Sequence, residues 1–149
     1  MMTQLIDSHT HIYAEEFDED FSAMLQRAEE SGITQMVLPD SESWPLIQSL
    51  SEAYPQRLFP TIGLHPTYVK EDYEAQLSYL EQHLGEGIVA IGEIGLDYYW
   101  DKTFRSEQLK AFEKQLRWAH QLGLPVILHV REAFRDTFDL LRSLQLPGL

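Results

Sequence analysis

The feature of this sequence that most constrains its fold is a regular alternation of short apolar runs and longer amphipathic stretches. From the apolar runs we predict five strands, at residues 5–6, 35–38, 57–62, 88–91 and 125–128. Each run is followed by a stretch in which apolar residues recur at helical spacing. Five β-then-α units of roughly 30 residues each predict an α/β fold with a parallel sheet and helices outside it.

The amphipathic stretches predict the helices. Four of them lie at residues 18–31, 71–84, 103–122 and 134–144, and Gly or Pro follows each one. A fifth helix is predicted around residues 46–50, with Ser41 or Ser43 as its N-cap. Hydrophobic periodicity alone does not distinguish an open doubly wound sheet from a barrel.

The composition fits one soluble domain spanning residues 1–149. The chain is 44% hydrophobic and 23% charged. It contains no apolar run near ~18–20 residues and no recognisable leader, so we expect a cytoplasmic protein without membrane contact. Cysteine is absent, which means that any metal site must use histidine and carboxylate ligands.

The net charge of −13 argues against a broad nucleic-acid-binding surface, because such surfaces are usually basic. It does not exclude a nuclease in which bound cations and a few local Arg or His side chains engage one phosphate.

The first predicted strand runs into the motif Asp7-Ser8-His9-Thr10-His11. Side chains alternate faces along an extended chain, so Asp7, His9 and His11 are expected on one side. Two such imidazoles can hold one divalent ion, and the carboxylate can ligate the ion or orient a ligand. A pair of solvated loop histidines is the alternative.

Other polar residues also fall at predicted strand ends. His65 follows the third strand, Glu93 the fourth and His129 the fifth. Barrels of the α/β type place their active sites at the carboxyl ends of their strands, so this distribution favours a barrel and a metal site. His83 and His120 fall within predicted helices, where a solvated or packing role is expected.

Glu93 is the residue best suited to bridge two ions, because a carboxylate directly after a buried strand is costly unless it is paired or coordinated. His65 is either a ligand or a donor to a substrate oxygen. Arg131 is a candidate for binding phosphate, with a salt bridge at a helix N-terminus as the alternative. Residues 98–100 are aromatic and either stack on nucleobases or pack within their own loop.

Four motifs of this chain resemble, in order and spacing, those of a known family. They are Asp7-Ser8-His9-Thr10-His11, Gly63-Leu64-His65-Pro66, Gly92-Glu93-Ile94-Gly95-Leu96-Asp97-Tyr98 and Pro125-Val126-Ile127-Leu128-His129-Val130-Arg131. The family is that of the TatD-type metal-dependent deoxyribonucleases, within the amidohydrolase-like TIM-barrel superfamily. The resemblance spans the chain from Asp7 to the last helix.

The resemblance implies a (β/α)8 TIM-barrel fold and an enzyme that hydrolyses phosphodiester bonds in DNA. It further implies two divalent metal ions (Zn, Mg or Mn), with attack on phosphorus by a metal-activated water. His9 and His11 would bind one ion, Glu93 would bridge the two, and His129 would bind the second. His65 and Arg131 would be substrate-binding residues.

Family members are closed eight-stranded barrels, whereas this sequence predicts about the first five β/α units. The resemblance therefore implies an incomplete domain of impaired activity, with a further histidine ligand and the general base expected beyond Leu149. An open strand edge would favour association with other chains. The alternatives are a hydrolase of the same superfamily acting on a C–N bond or a phosphomonoester, and a non-catalytic fragment that binds metal or a partner.

Overall fold

The computed structural model describes residues 4–39, 44–85 and 87–148, which form a five-stranded parallel sheet flanked by helices. The strands are β1 (Leu5–Asp7), β2 (Ile33–Leu38), β3 (Leu58–Ile62), β4 (Ala90–Asp97) and β5 (Val126–Arg131). Each strand pairs with the next one along the chain, in the order β1-β2-β3-β4-β5. A doubly wound sheet would reverse its strand order at a switch point, so this sequential order is that of a partial TIM barrel, as predicted.

Five α-helices connect or follow the strands, close to their predicted positions. They are α1 (Phe21–Glu30), α2 (Trp44–Ala53), α3 (Tyr73–Glu81), α4 (Arg105–Leu122) and α5 (Phe134–Leu144). Two short 3₁₀ helices that the periodicity did not indicate lie at Glu15–Phe17 and Pro66–Tyr68. The predicted N-caps Ser41 and Ser43 lie outside the described residues. Helix α3 ends before His83, so the prediction that His83 lies within a helix is wrong.

Strand β4 is longer than the predicted run at residues 88–91 and continues to Asp97. Gly92 and Gly95, which follow the predicted run, both lie inside the strand. A Cβ at Gly92 would lie 2.6 Å from Ile127 Cβ, and a Cβ at Gly95 would overlap the carbonyl oxygen of His129. These glycines let β4 lie closely against β5, and Glu93 is consequently held within a strand rather than in a loop.

The core lies mainly between the sheet and the helices. In one part of it, Phe112 and Leu116 of α4 are fully buried together with Ile94 of β4. In the other part, Leu25 of α1 and Ile47 of α2 pack in a cluster against β2 and β3. The alternation of strand and helix therefore produces one sheet whose helices pack against it in two hydrophobic clusters.

The two outer strands carry exposed apolar side chains. Leu5 and Ile6 of β1 are 48% and 62% exposed, and Leu128 of β5 is 39% exposed. Phe134 and Phe138, on the helix after β5, are also exposed. Such an edge fits the expectation that the chain associates with other chains, which stays a prediction. None of the helices in the described parts of the chain is long and apolar enough to cross a membrane.

A polar cluster joins the loop after β4 to helices α4 and α5. Asp136 Oδ2 accepts hydrogen bonds from the Tyr98 hydroxyl at 2.8 Å and from Arg105 Nη2 at 2.7 Å. Hydrogen bonding to Arg105 holds the pKa of Asp136 below its ordinary value, and burial raises the pKa of Tyr98 to about 12. The cluster therefore stabilises the folded chain while Asp136 is ionised and Tyr98 is protonated.

We predict that Asp136→Asn lowers the free energy of unfolding by about 1 kcal/mol at neutral pH, because the substitution removes a partly buried charged hydrogen-bond acceptor. A carboxyl whose pKa is depressed by folding stabilises above its unfolded pKa, near 3.9, and loses that contribution as the pH falls through the folded value. The difference between wild type and variant should therefore shrink below about pH 4. Urea unfolding at several pH values measures this difference in the free energy of unfolding.

Asp139→Asn is the matched control, because Asp139 lies on the same helix but is 66% exposed and pairs only loosely with Arg135 at 3.7 Å. If Asp136→Asn lowers the free energy of unfolding by the same amount at neutral and at acid pH, the ionised form of Asp136 does not stabilise the fold.

Candidate metal centre

The predicted site residues converge at the carboxyl ends of the strands. All of them except Arg131 line an open cleft of about 450 Å³. Its lining residues are His9, His11, Tyr13, Ala14, Pro39, Gly63, His65, Tyr68, Glu93 and His129. Side chains that are up to 120 positions apart in the sequence thus share one cavity, because parallel strands all end at the same edge of the sheet.

Glu93 lies at the centre of this cleft, with its side chain 15% exposed. Its Oε2 lies 3.5 Å from His9 Nε2. Its Oε1 lies 3.2 Å from His129 Nδ1 and 3.8 Å from His65 Nε2. The two oxygens of one carboxylate therefore face two separate groups of imidazoles.

The first group contains His9 and His11, whose Nε2 atoms lie 3.1 Å apart. Asp7 Oδ1 accepts a hydrogen bond from the backbone N–H of His9, which fixes the turn after β1. The Tyr13 hydroxyl donates to the carbonyl of Pro39, so its oxygen accepts from His11 Nδ1. In neutral His11 the unprotonated nitrogen is then Nε2, which is the nitrogen that faces His9 and Glu93.

The second group contains His129 and His65, whose ring centroids lie 4.3 Å apart. His129 Nε2 donates to Asp97 Oδ2 at 2.8 Å, so the lone pair of neutral His129 lies on Nδ1 and faces Glu93 Oε1. Two acceptors 3.2 Å apart repel each other unless a cation or a proton lies between them. A metal ion bound by His129 Nδ1 and Glu93 would remove this repulsion.

His65 has a different tautomer preference. Its Nδ1 accepts a hydrogen bond from the backbone N–H of Thr67 at 3.3 Å and also lies 2.7 Å from Thr67 Oγ1. The proton of neutral His65 is then on Nε2, directed toward Glu93. The sequence left two roles open for His65, a metal ligand and a donor to a substrate oxygen. This arrangement favours the donor role. The position of His65 beside Glu93 and His129 would also suit a ligand.

Asp97 is a site residue whose role sequence reasoning missed. It is 1% exposed, and besides His129 its carboxylate accepts hydrogen bonds from the backbone N–H groups of Tyr99 and Trp100. Burial alone would raise the pKa of Asp97, but the hydrogen bonds from His129 and from the two N–H groups outweigh it and lower the pKa. A carboxylate that holds the far nitrogen of a ligand histidine is a common feature of metal sites.

Two buried glutamines of α4 hold the backbone beside the site. Gln115 accepts from the N–H of Leu64 at 2.5 Å and donates to its carbonyl. Gln108 forms the same pair of bonds with the backbone of Asp97. The glutamines are seven residues apart and therefore lie on one face of the helix. Helix α4 thus holds both the segment before His65 and the end of strand β4 at Asp97.

The donor set fits divalent metal ions. The groups His9–His11–Glu93 and His65–Glu93–His129 each place one potential ligand atom per residue within 4.8 Å of one another. Imidazole nitrogens and carboxylate oxygens are ligands for Zn²⁺ and Mn²⁺, and the orientation of His11 and His129 by Tyr13 and Asp97 leaves a lone pair facing each group.

The remaining candidate residues lie outside these two groups. Arg131 is at the end of β5 and exposed, with its guanidinium carbon 3.7 Å from the centre of the Tyr99 ring. His120 is exposed near the end of α4. His83 contacts the rings of Trp44 and Tyr79.

Comparison with known proteins gives a consistent result. Residues 6–149 match the family described as TatD related DNase. The chain is 32% identical over 142 residues to the uncharacterized metal-dependent hydrolase YabD of Bacillus subtilis. The aligned region covers 93% of this chain and 55% of YabD. It is 33% identical over 149 residues to the 3'-5' ssDNA/RNA exonuclease TatD of Edwardsiella piscicida, covering 97% of this chain and 57% of the relative.

The fold is also that of a solved relative. The crystal structure of YJJV, a TatD homolog from Escherichia coli, superposes with a TM-score of 0.88 at 33% identity. The match covers 99% of this chain and 58% of YJJV. The chain therefore spans little more than half the length of the relatives it matches.

We predict that Asp97→Asn weakens metal binding about 10- to 100-fold, because loss of such an orienting carboxylate has this effect in other metal sites. Isothermal titration calorimetry with Zn²⁺ or Mn²⁺ measures the affinity. Asp101→Asn is the matched control, since Asp101 lies four residues further along the chain but pairs with Lys70 and Thr103 rather than with a histidine. Equal affinities for wild type and Asp97→Asn would show that Asp97 does not orient a ligand.

Proposed function

Because the chain belongs to the TatD-related DNase family, we propose that it forms the metal-holding wall of an active site that hydrolyses phosphodiester bonds in DNA. The observation that carries this proposal is the position of Glu93, whose two carboxylate oxygens face two separate groups of imidazoles. A carboxylate shared in this way is suited to bridge two ions, which is the arrangement used for in-line displacement at phosphorus.

The residues of the cleft would have different roles in holding metal ions. His9, His11 and Glu93 would hold one divalent ion, and Glu93 and His129 would hold a second. Bound ions would neutralise the charge of a phosphate and lower the pKa of a water molecule. The protein's own contribution is orientation, because Tyr13 and Asp97 set the tautomers of His11 and His129.

Two further side chains would act on the substrate. The Nε2–H of His65 faces the cleft and can donate a hydrogen bond to a phosphate oxygen. Arg131, two residues beyond His129 on β5, would supply a positive charge at the end of the same strand. In a chain of net charge −13, such local cations and bound metal ions would compensate for the repulsion between the protein and DNA.

DNA is the proposed substrate because some relatives are named as DNases or as ssDNA/RNA exonucleases. Other relatives are named only as metal-dependent hydrolases. Hydrolysis of a phosphomonoester or a C–N bond is therefore included as an outcome of the test.

We predict metal-dependent cleavage of single-stranded DNA that Glu93→Gln reduces about 100-fold or more, because an amide cannot bridge two cations. The assay compares a labelled oligonucleotide, a small phosphodiester, a phosphomonoester and an amide. It is run with added Mg²⁺, Mn²⁺ or Zn²⁺ and with a chelator. Both the 149-residue chain and the product of the whole open reading frame that encodes it are tested.

Glu71→Gln is the matched control, since Glu71 is an exposed glutamate outside both histidine groups. It should retain the wild-type rate. Cleavage that persists in a chelator, wild-type activity in Glu93→Gln, or faster turnover of the monoester or amide than of the diesters would contradict the proposal.

A further inference from the structure

Two of the three consecutive aromatic residues after β4 are not explained by packing. Tyr98 is buried, and its hydroxyl is bonded to Asp136. Tyr99 and Trp100 are 50% and 70% exposed. A loop that merely packs on its own aromatic side chains would bury all three, whereas this loop presents an indole and a phenol ring to solvent.

A cation lies directly over these two rings. The guanidinium carbon of Arg131 is 3.7 Å from the centre of the Tyr99 ring and 5.2 Å from that of Trp100. The two rings meet edge to face, with centroids 4.8 Å apart and an interplanar angle of 86°. Among the residues that the structure describes, no carboxylate forms an ion pair with Arg131. By contrast, Arg105 pairs with an aspartate, and so does Arg135 on helix α5.

The aromatic loop is fixed relative to the metal centre through one carboxylate. Asp97 Oδ1 accepts from the N–H groups of Tyr99 and Trp100, at 2.9 and 3.4 Å. Oδ2 of the same carboxylate accepts from His129. Asp97 and Arg131 are also paired in register across β4 and β5, and Arg131 lies two residues, roughly 6.6 Å along a strand, beyond His129.

We propose that Tyr99, Trp100 and Arg131 form a stacking site for one base of a single-stranded nucleic acid whose neighbouring phosphate lies in the cleft beside the two histidine groups. Every nucleobase has a π face, so an exposed indole binds bases with little sequence preference. Arg131 provides the positive charge that an acidic protein needs beside a phosphate, and its stacking on Tyr99 holds the guanidinium in place. This inference rests on the proposed function and names how its substrate is held.

The test compares two fluorescent oligomers of equal length and charge, an oligothymidylate and an abasic oligodeoxynucleotide. Binding is measured by fluorescence anisotropy at low salt in a chelator, so that it needs neither a metal ion nor turnover. Wild type should bind the oligothymidylate about tenfold more tightly than the abasic oligomer. Trp100→Ala should remove this difference, and Trp100→Phe should retain most of it.

Tyr79→Ala is the matched control, because Tyr79 is an exposed aromatic residue on α3, away from the cleft. It should leave the preference for bases unchanged, and circular dichroism checks that each variant is folded. The proposal is overturned if wild type shows no preference for the oligothymidylate, including no binding of either oligomer, or if Trp100→Ala keeps the preference. Metal-dependent cleavage of the small phosphodiester is scored separately, so failure of the stacking site is distinguishable from failure of the proposed hydrolase activity.

Discussion

The carboxylate of Glu93 is the interaction on which the arrangement of the cleft depends. A carboxylate held within a strand and only 15% exposed is costly unless its oxygens are compensated. Imidazoles lie on both sides of it, and in their neutral forms His11 and His129 direct lone pairs rather than protons toward the centre. Acceptors that face one another in this way repel each other unless a cation or a proton lies between them. The arrangement of these side chains therefore suits a bound cation beside Glu93.

Close packing of the sheet is what brings that carboxylate to the right place. Gly92 and Gly95 allow β4 to lie against β5, and the buried hydroxyl of Thr61 donates to the carbonyl of Gly92 at 2.6 Å. Helix α4 also fixes the backbone near the site, because Gln108 is hydrogen-bonded to the backbone of Asp97 and Gln115 to the backbone of Leu64. Glu93 and His129 thus lie within strands, and Asp97, which orients His129, is itself hydrogen-bonded to the backbone N–H groups of Tyr99 and Trp100.

The sequence predicted the sheet, the helices and the convergence of His9, His11, Glu93 and His129, because hydrophobic period and strand-end position are local signals. It did not predict that β4 continues past Gly92, since a glycine that permits close strand contact looks the same in sequence as one that ends a strand. The sequence indicated no role for Gln108 and Gln115, because polar residues of an amphipathic helix are ordinarily expected on its exposed face. Their partners are backbone groups, which carry no sequence signal. The tautomer of each histidine likewise depends on contacts between distant elements.

Anomalous X-ray scattering can show whether Glu93 separates two metal ions. Crystals of the protein grown with Mn²⁺ or Zn²⁺ would be measured at the absorption edge of the metal. We expect two anomalous peaks, one between Glu93 Oε2 and the pair His9 and His11, and one between Glu93 Oε1 and His129. A single peak that leaves one carboxylate oxygen unoccupied, or no peak beside Glu93, would contradict the account.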